Sequence, residues 1–189
     1  MMPLNSKGPA LADWAALACY PTTLTDAVRG VDFRVQREPS GILILQYVLR
    51  AEMLHVRVPP LEPPARADGL WKHTCFEAFI SPATQRGGYY ELNFSPSRQW
   101  AIYSFERYRE GMSPADLAAP PELTLRRFDD RLELDAAIRL PELRSPTLKL
   151  AVSTVVEDDS GTLSYWALKH APGKPDFHHP DGFVLELPP

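Results

Sequence analysis

The pattern of hydrophobic and polar positions predicts an all-β chain. Apolar and polar residues alternate with a period of two, as they do in half-buried strands, in the runs Thr74–Ile80, Tyr89–Ser95 and Gln99–Tyr108. Serine, proline and glycine residues, which favour turns, separate these runs. We therefore predict a β-meander at the centre of the chain.

The same alternation assigns the side chains of the meander to faces. In the first strand Glu77 falls in a row that is otherwise apolar, together with Cys75 and Phe79. In the second strand Glu91 and Asn93 share the face opposite to an apolar row. Because the burial of an unpaired charge costs free energy, Glu77 needs a polar partner or water.

Further strands are predicted on both sides of the meander. They are Ala18–Thr22, Val31–Arg37, Ile42–Arg50, Met53–Val58, Leu123–Phe128, Arg131–Ile138, Leu148–Val156, Thr162–Leu168 and Phe183–Leu187. Helix is limited to a short segment at Leu11–Ala18 and one turn at Ser113–Ala119. About ten or eleven short strands predict an antiparallel β-sandwich, or jelly roll, with little helix. We expect a single domain over residues 1–189, with residues 1–20 as an irregular N-terminal extension.

Composition narrows the function classes. The 20 prolines disfavour long helices, and a net charge of −4 without a basic block gives no footprint for nucleic acid. No segment has the roughly 20 apolar residues of a membrane span, and the N-terminus lacks a secretory-signal pattern. We therefore expect a cytoplasmic protein with neither nucleic-acid nor membrane partners. Cys19 and Cys75 are too few for a disulfide framework, and we interpret them as inert thiols.

The usual enzymatic signatures, such as glycine-rich phosphate loops and nucleophile elbows, are missing from the sequence. Glu77 and Glu91 invite comparison with a glycosidase pair, but the sequence reveals neither the separation nor the raised pKa that such a pair needs. We instead interpret Glu77 as an acceptor for hydroxyl groups of a ligand. The chain is expected to be non-catalytic.

Metal and haem sites are alternatives to an unassisted binding site. A loop holds His170, His178 and His179 with Asp176 and Asp181, but adjacent histidines in extended chain point to opposite sides, and we interpret these imidazoles as capping groups. A calcium ion at Glu157-Asp158-Asp159 stays open. So does a b-type haem held by a Met and a His, although no spacing selects a pair among Met53, Met112, His55, His73 and His170. The default expectation is no cofactor.

Two aromatic residues are placed where packing alone is less expected. Trp71 follows a proline-rich loop at residues 59–69, and Phe177 lies in the polar loop PGKPDFHHP. Two rings presented by loops at one end of a sandwich form a slot that suits the apolar faces of a pyranose. The alternative is that both rings seal the end of the sandwich.

Three segments occur in order along the chain: LWKHTCFEAF at residues 70–79, YYELNFSP at 89–96, and LSYW at 163–166 followed by PDFHHPDGF at 175–183. Together they resemble the family 9 carbohydrate-binding modules and the wider DOMON-like superfamily, which are jelly-roll sandwiches. The sequence is also similar to a bacterial branch in which some relatives are fused to a domain that looks like a cell-wall amino-sugar reductase.

The resemblance implies a binding site. Trp71 and Phe177 would clamp a sugar, Glu77 and Asn93 would contact its hydroxyls, and Glu91 stands where at least some sugar binders place Arg. We therefore predict a non-catalytic module that binds a saccharide or a cell-wall amino sugar. A b-type haem or redox module, which the superfamily also contains, and a protein-interaction subunit are the alternatives.

Overall fold

The computed structural model describes residues 13–83, 87–140 and 147–188. Within these ranges the strands are β1 (Ala15–Cys19), β2 (Val28–Arg37), β3 (Leu43–Ala51), β4 (Cys75–Pro82), β5 (Tyr89–Phe94), β6 (Trp100–Phe105), β7 (Ser113–Pro114), β8 (Glu122–Arg127), β9 (Arg131–Ile138), β10 (Leu148–Glu157), β11 (Leu163–Ala167) and β12 (Leu185–Leu187). Short 3-10 helices lie at Met53–His55, Leu70–Lys72 and Pro180–Gly182. No helix in the described ranges is long and apolar enough to cross a membrane.

The strands form one antiparallel sheet with the order β7-β6-β5-β4-β10-β11-β1-β2-β3-β9-β8, and β12 pairs with β10 beside this path. The sheet curls into a half-barrel. Strand β1 joins the two parts of the sheet, because it pairs with β11 on one side and with β2 on the other. The predicted all-β sandwich with little helix is confirmed.

The main core lies between the two parts of the sheet, and a row of aromatic rings crosses it. Phe33 of β2 contacts Tyr47 of β3 with ring centroids 4.9 Å apart, and Tyr47 contacts Phe76 of β4 at 5.1 Å. The Tyr47 hydroxyl is fully buried and donates a hydrogen bond to the backbone oxygen of Glu77, 2.9 Å away. This contact fastens β4 to the opposite part of the sheet.

A second apolar cluster lies on the other face of β4, β5 and β6. It contains Phe79, Tyr89, Ala101, Tyr103, Phe105 and Ala151. Three residues from the connecting segments, Leu70, Phe177 and Phe183, pack against it. The central strands are therefore buried on both faces, and the second face is covered by loops.

Most predicted strands are confirmed, but the N-terminal assignments are wrong. Residues 15–19, which the sequence assigned to an irregular extension with a helix at Leu11–Ala18, form β1 instead. This strand is stabilised by ladder hydrogen bonds on both of its edges, which outweigh the helix preference of AALAC. Residues 1–12 lie outside the described part of the chain.

Two further local predictions are wrong. Met53–Val58 is not a strand: the His55 N–H bonds to the Glu52 carbonyl and closes a 3-10 turn, while the Met53 N–H bonds to Asp129. Ser113–Ala119 is not a helical turn, because Ser113 and Pro114 pair with Ser104 and Tyr103 at the edge of the sheet.

The hydrogen bond from Tyr47 gives a test of the core. Replacing Tyr47 with Phe removes only the hydroxyl and should lower the free energy of unfolding by about 1–2 kcal/mol. Tyr47→Leu also removes the ring contacts with Phe33 and Phe76, and should cost about 3 kcal/mol. Urea denaturation followed by circular dichroism measures both. Equal midpoints for Tyr47→Phe and the parent would show that this hydrogen bond contributes nothing.

Candidate functional site

A cavity of about 470 Å³ lies between the second face of the sheet and the loops that cover it. Its floor comes from strands and includes Glu77, Phe79, Glu91, Phe105, Val155 and Tyr165. Its rim comes from connecting segments and includes Trp71, Arg109, Met112, Lys174, Phe177 and His178. Four of the five site residues predicted from the sequence line this one cavity; the fifth, Asn93, lies behind it.

Trp71 lies in the 3-10 helix that precedes β4. Gly69, with φ of 76°, makes the left-handed turn into this helix. The indole contacts Tyr103 edge to face at 5.9 Å between centroids, and 36% of the residue stays exposed. Two residues further on, His73 Nδ1 lies 2.7 Å from the buried carboxylate of Glu157, which holds this segment against β10. Trp71 is thus a supported ring with a large exposed surface.

Phe177 lies on the opposite rim, in the loop after β11. It is half-buried and packs against Tyr165 at 6.0 Å between centroids. Its neighbour Asp176 accepts a hydrogen bond of 2.7 Å from Arg109 and another from Tyr108. These bonds tie the Phe177 loop to the loop after β6. Both predicted rings therefore border an open cavity.

Glu77 is the most buried acidic group of the floor, with 2% of the residue exposed. Its Oε2 accepts a hydrogen bond of 3.2 Å from Ser153, and its Oε1 has no partner among the described residues. Burial raises the pKa of Glu77 well above its ordinary value, and the nearby Glu91 raises it further. The sequence-based expectation that Glu77 needs a partner is met on one oxygen only.

Glu91 lies beside Glu77 on the next strand. Its Oε1 accepts a hydrogen bond of 3.0 Å from Asn93 Nδ2. Burial raises the pKa of Glu91, while the bond from Asn93 and the charge of Arg109 oppose this rise. Asn93 itself is fully buried. Its amide reaches the floor of the cavity through Glu91, and the ligand contact that the resemblance implied for Asn93 stays a prediction.

The capping interpretation is wrong for His178, whose ring lines the cavity and bonds to the Tyr89 hydroxyl. Three aromatic residues surround its ring: Phe79, Tyr89 and Phe105 lie at 4.9, 5.9 and 5.1 Å between centroids. Burial, with a smaller contribution from Arg109, lowers the pKa of His178 to about 4. The imidazole is therefore neutral at physiological pH.

The hydrogen bonds of Tyr89 favour one tautomer of His178. The Tyr89 hydroxyl accepts from the backbone N–H of Arg109 at 3.1 Å, so its own hydrogen is free for His178 Nδ1 at 2.8 Å. A neutral imidazole that accepts at Nδ1 carries its hydrogen on Nε2. That nitrogen lies 3.8 Å from Glu91 Oε2 and presents an N–H to the floor of the cavity.

The other two histidines of the loop bind backbone groups, as the capping interpretation expects. His170 Nε2 lies 2.8 Å from the Ala18 carbonyl, and His179 Nδ1 accepts from the Asp181 N–H. The described residues contain no group of three or more His, Cys, Asp or Glu side chains placed to hold a metal ion.

The acidic turn considered for calcium has its carboxylates engaged by the protein. Glu157 bonds to Arg57 at 2.6 Å and to His73, Asp158 caps the turn through Ser160, and Asp159 bonds to His55.

The side chains considered as haem ligands are spread over the molecule. Met53 lies in the main core. The rings of His55, His73 and His170 bond to Asp159, to Glu157 and to the Ala18 carbonyl, respectively. Met112 alone among these candidates lines the cavity.

Strand pairing and loop placement together define the class of fold: an all-β sandwich with a loop-covered cavity on the face opposite its main core. This is the fold of the family 9 carbohydrate-binding modules. A protein from Bacteroides uniformis, provisionally described as carbohydrate-binding, matches with a TM-score of 0.67 and 17% sequence identity. The match covers 90% of this chain and 84% of that one.

A family 9 module from Caldicellulosiruptor kristjanssonii matches in two structures. The complex with glucose gives a TM-score of 0.53 at 12% identity and covers 92% of this chain and 84% of that chain. The complex with cellotriose gives 0.54 at 13% identity and covers 85% and 74%. Neither a family model nor a curated protein matches the sequence. The predicted family 9 type of fold is confirmed, and the wider DOMON-like assignment stays a prediction.

The raised pKa of Glu77 predicts how stability depends on pH. A carboxyl group whose folded pKa is raised contributes stability below its ordinary value of 4.5, and this stability is lost as the pH rises through the folded pKa. Glu77→Gln keeps the neutral form at every pH. The variant should match the parent near pH 4 and have a higher urea midpoint near pH 8.

Glu133→Gln is the matched control with the opposite sign. Arg131 and Arg126 lower the pKa of Glu133 on the far part of the sheet, so its ionised form stabilises the fold above 4.5. This control should be the less stable form near pH 8. A difference between Glu77→Gln and the parent that does not vary with pH would show that Glu77 ionises normally.

The environment of His178 predicts a proton distribution that NMR can measure. Between pH 5 and 8 the ring should stay neutral with its hydrogen on Nε2, since its pKa is about 4. His55 is the internal comparison, because the hydrogen bond that its ring donates to Asp159 raises the pKa of that imidazole. Two-bond ¹H–¹⁵N correlation spectra report both rings. Titration of His178 near 6.5 would contradict the buried, neutral assignment.

Proposed function

We propose that this chain is a non-catalytic saccharide-binding module whose ligand occupies the cavity under Trp71 and Phe177. The observation that carries this proposal is the composition of the cavity. Aromatic rings stand at its rim and buried carboxylates lie at its floor, which is the combination that a pyranose requires. Similarity to modules crystallised with glucose and cellotriose supports the same ligand class.

The rim is suited to the apolar face of a sugar ring. Trp71 keeps 36% of its surface exposed although its edge is packed on Tyr103. Phe177 is fixed by Tyr165 and by the anchored Asp176 beside it. Both rings are held before a ligand arrives, so little conformational entropy is lost when a sugar packs between them.

The floor is suited to hydroxyl groups. Glu77 Oε1 is a buried acceptor that finds no donor in the described part of the chain, and a ligand hydroxyl would supply that hydrogen bond. His178 Nε2 contributes a donor nearby, and Glu91 contributes a second acceptor. Acceptors and a donor at fixed positions on strands give a site that can select among hydroxyl arrangements.

The placement of the two carboxylates favours binding over hydrolysis. Glu77 pairs with Asn93, and Glu91 pairs with Phe79, so the two glutamates are diagonal neighbours on adjacent strands of one floor. They approach a ligand from the same side. Glycoside hydrolysis by a carboxylate pair requires the two groups to flank the scissile bond.

Replacing the rim rings tests the proposal. We expect Trp71→Ala and Phe177→Ala each to weaken saccharide binding at least tenfold, because each removes one stacking surface. Trp14→Ala is the control: Trp14 is exposed to a similar degree, but it lies over Arg34 away from the cavity. Isothermal titration calorimetry with glucose, cello-oligosaccharides and N-acetylglucosamine measures affinity, and circular dichroism checks the fold.

Two results would contradict the proposal. One is an unchanged affinity in both rim variants, which would move the binding site elsewhere. The other is a flat response of the folded parent protein to the whole sugar panel. Release of reducing ends from cello-oligosaccharides that is lost in Glu77→Gln would show hydrolysis instead of simple binding.

A further inference from the structure

The floor of the cavity is unbalanced in charge. It contains the two carboxylates of Glu77 and Glu91, and no cation lies within 4.0 Å of Glu77 among the described residues. Of the basic residues that line the cavity, Arg109 is bound to Asp176 at 2.7 Å, Lys174 is exposed at the rim, and His178 is neutral. The floor is therefore acidic. Among the described residues, the donors near Glu91 are the Asn93 amide and the more distant Nε2–H of His178.

The hydrogen bonds of the floor show a matching excess of acceptors over donors. Within residues 13–83, 87–140 and 147–188, Glu77 receives one donor, the Ser153 hydroxyl at 3.2 Å, and its Oε1 receives none. Glu91 receives one close donor, the Asn93 amide at 3.0 Å. An ionised carboxylate offers about four acceptor positions. The residues of the floor therefore leave most of these positions to whatever enters the cavity.

We propose that the cavity selects a saccharide that carries a free, protonated amine, with its ammonium group placed against Glu77 and Glu91. This inference rests on the proposed function and narrows it. An ammonium group brings three donors and one positive charge, and charge-assisted hydrogen bonds to carboxylates are about twice as strong as neutral ones. A hydroxyl or an acetamido group at the same place supplies fewer donors and brings no charge to compensate a carboxylate that is ionised in a buried site.

The surroundings of Glu77 raise its pKa, and we therefore expect the binding of an ammonium group to release a proton from this carboxyl. Beside it are Glu91 on β5 and Ser153 on β10, with the Cys75 thiol on its own strand. The imidazole of His178 and the guanidinium of Arg109 cover the floor from the loops. Burial and the charge of Glu91 raise the pKa of Glu77, so this carboxyl holds its proton more tightly than an ordinary one, and an ammonium that binds the ionised form displaces that proton. A neutral sugar has no charge with which to displace it.

Calorimetry on the full chain with glucosamine, glucose and N-acetylglucosamine tests this inference. At pH 6 we expect glucosamine to bind at least tenfold more tightly than either neutral sugar. Titrations in buffers of different ionisation enthalpy should show the release of up to one proton per glucosamine bound, and far less for glucose. Raising the pH from 5 to 6.5 should strengthen glucosamine binding, because Glu77 is then easier to ionise.

Two variants test whether a carboxylate of the floor, and not one elsewhere in the fold, causes the preference for glucosamine. Glu77→Gln keeps the side-chain volume and should remove both the preference for glucosamine and the proton release. Glu133→Gln removes a carboxylate on the far part of the sheet and should leave all three affinities as they are. Retention of a tenfold glucosamine preference in Glu77→Gln would overturn the assignment of the ammonium position.

The outcomes distinguish this inference from the proposed function. Equal affinities for the three sugars, without proton release, would overturn the amine preference and leave saccharide binding in place. Cyclohexylamine, a ring amine without hydroxyls, is the complementary probe. If it binds as tightly as glucosamine and releases the same proton, the cationic subsite is real and the saccharide assignment fails. Binding of none of the four compounds would overturn both.

Discussion

The register of β4 between β5 and β10 is the constraint on which the rest of the structure depends. This register directs the side chain of Phe76 into the main core and the side chain of Glu77 onto the floor of the cavity. The Tyr47 hydroxyl bonds to the backbone oxygen of Glu77 from the opposite part of the sheet. Because side chains alternate along a strand, a slip of one residue would exchange the two faces. The core therefore fixes the floor of the site.

The buried carboxylates of the floor lower the free energy of unfolding. Glu77 and Glu91 are desolvated and close enough for the charge of one to raise the pKa of the other, so both oppose folding when they are ionised. The aromatic row through Phe33, Tyr47 and Phe76 and the continuous ladders of the sheet offset this cost. A stable sandwich can carry an acidic, partly unpaired floor that a smaller core could not.

The sequence predicted the parts of the molecule that follow from period-two alternation, and missed those that depend on contacts between distant segments. The two-faced pattern of residues 74–95 predicted that Glu77 lies in an otherwise apolar row and that Glu91 and Asn93 lie opposite one. Asn93 obeys the same pattern, but strand alternation does not reveal that it bonds to Glu91 under the cavity. The helix expected at Leu11–Ala18 is wrong because tertiary pairing with β2 and β11 overrides local preference. The place of His178 in the cavity was not predicted, because its bond to Tyr89 spans 89 positions.

Strands form the floor of the cavity and loops form its rim, so substitutions affect the two in different ways. The floor belongs to strands whose other face is the core, so its geometry is tied to the stability of the whole sandwich. The rim is held by a few contacts between loops, chiefly Arg109 and Tyr108 with Asp176, and the Arg109 backbone with Tyr89. Substitutions in these loops change the shape of the opening without disturbing the ladders. Structures only 12–17% identical to this chain keep its fold, so the fold does not depend on the particular side chains that line the cavity.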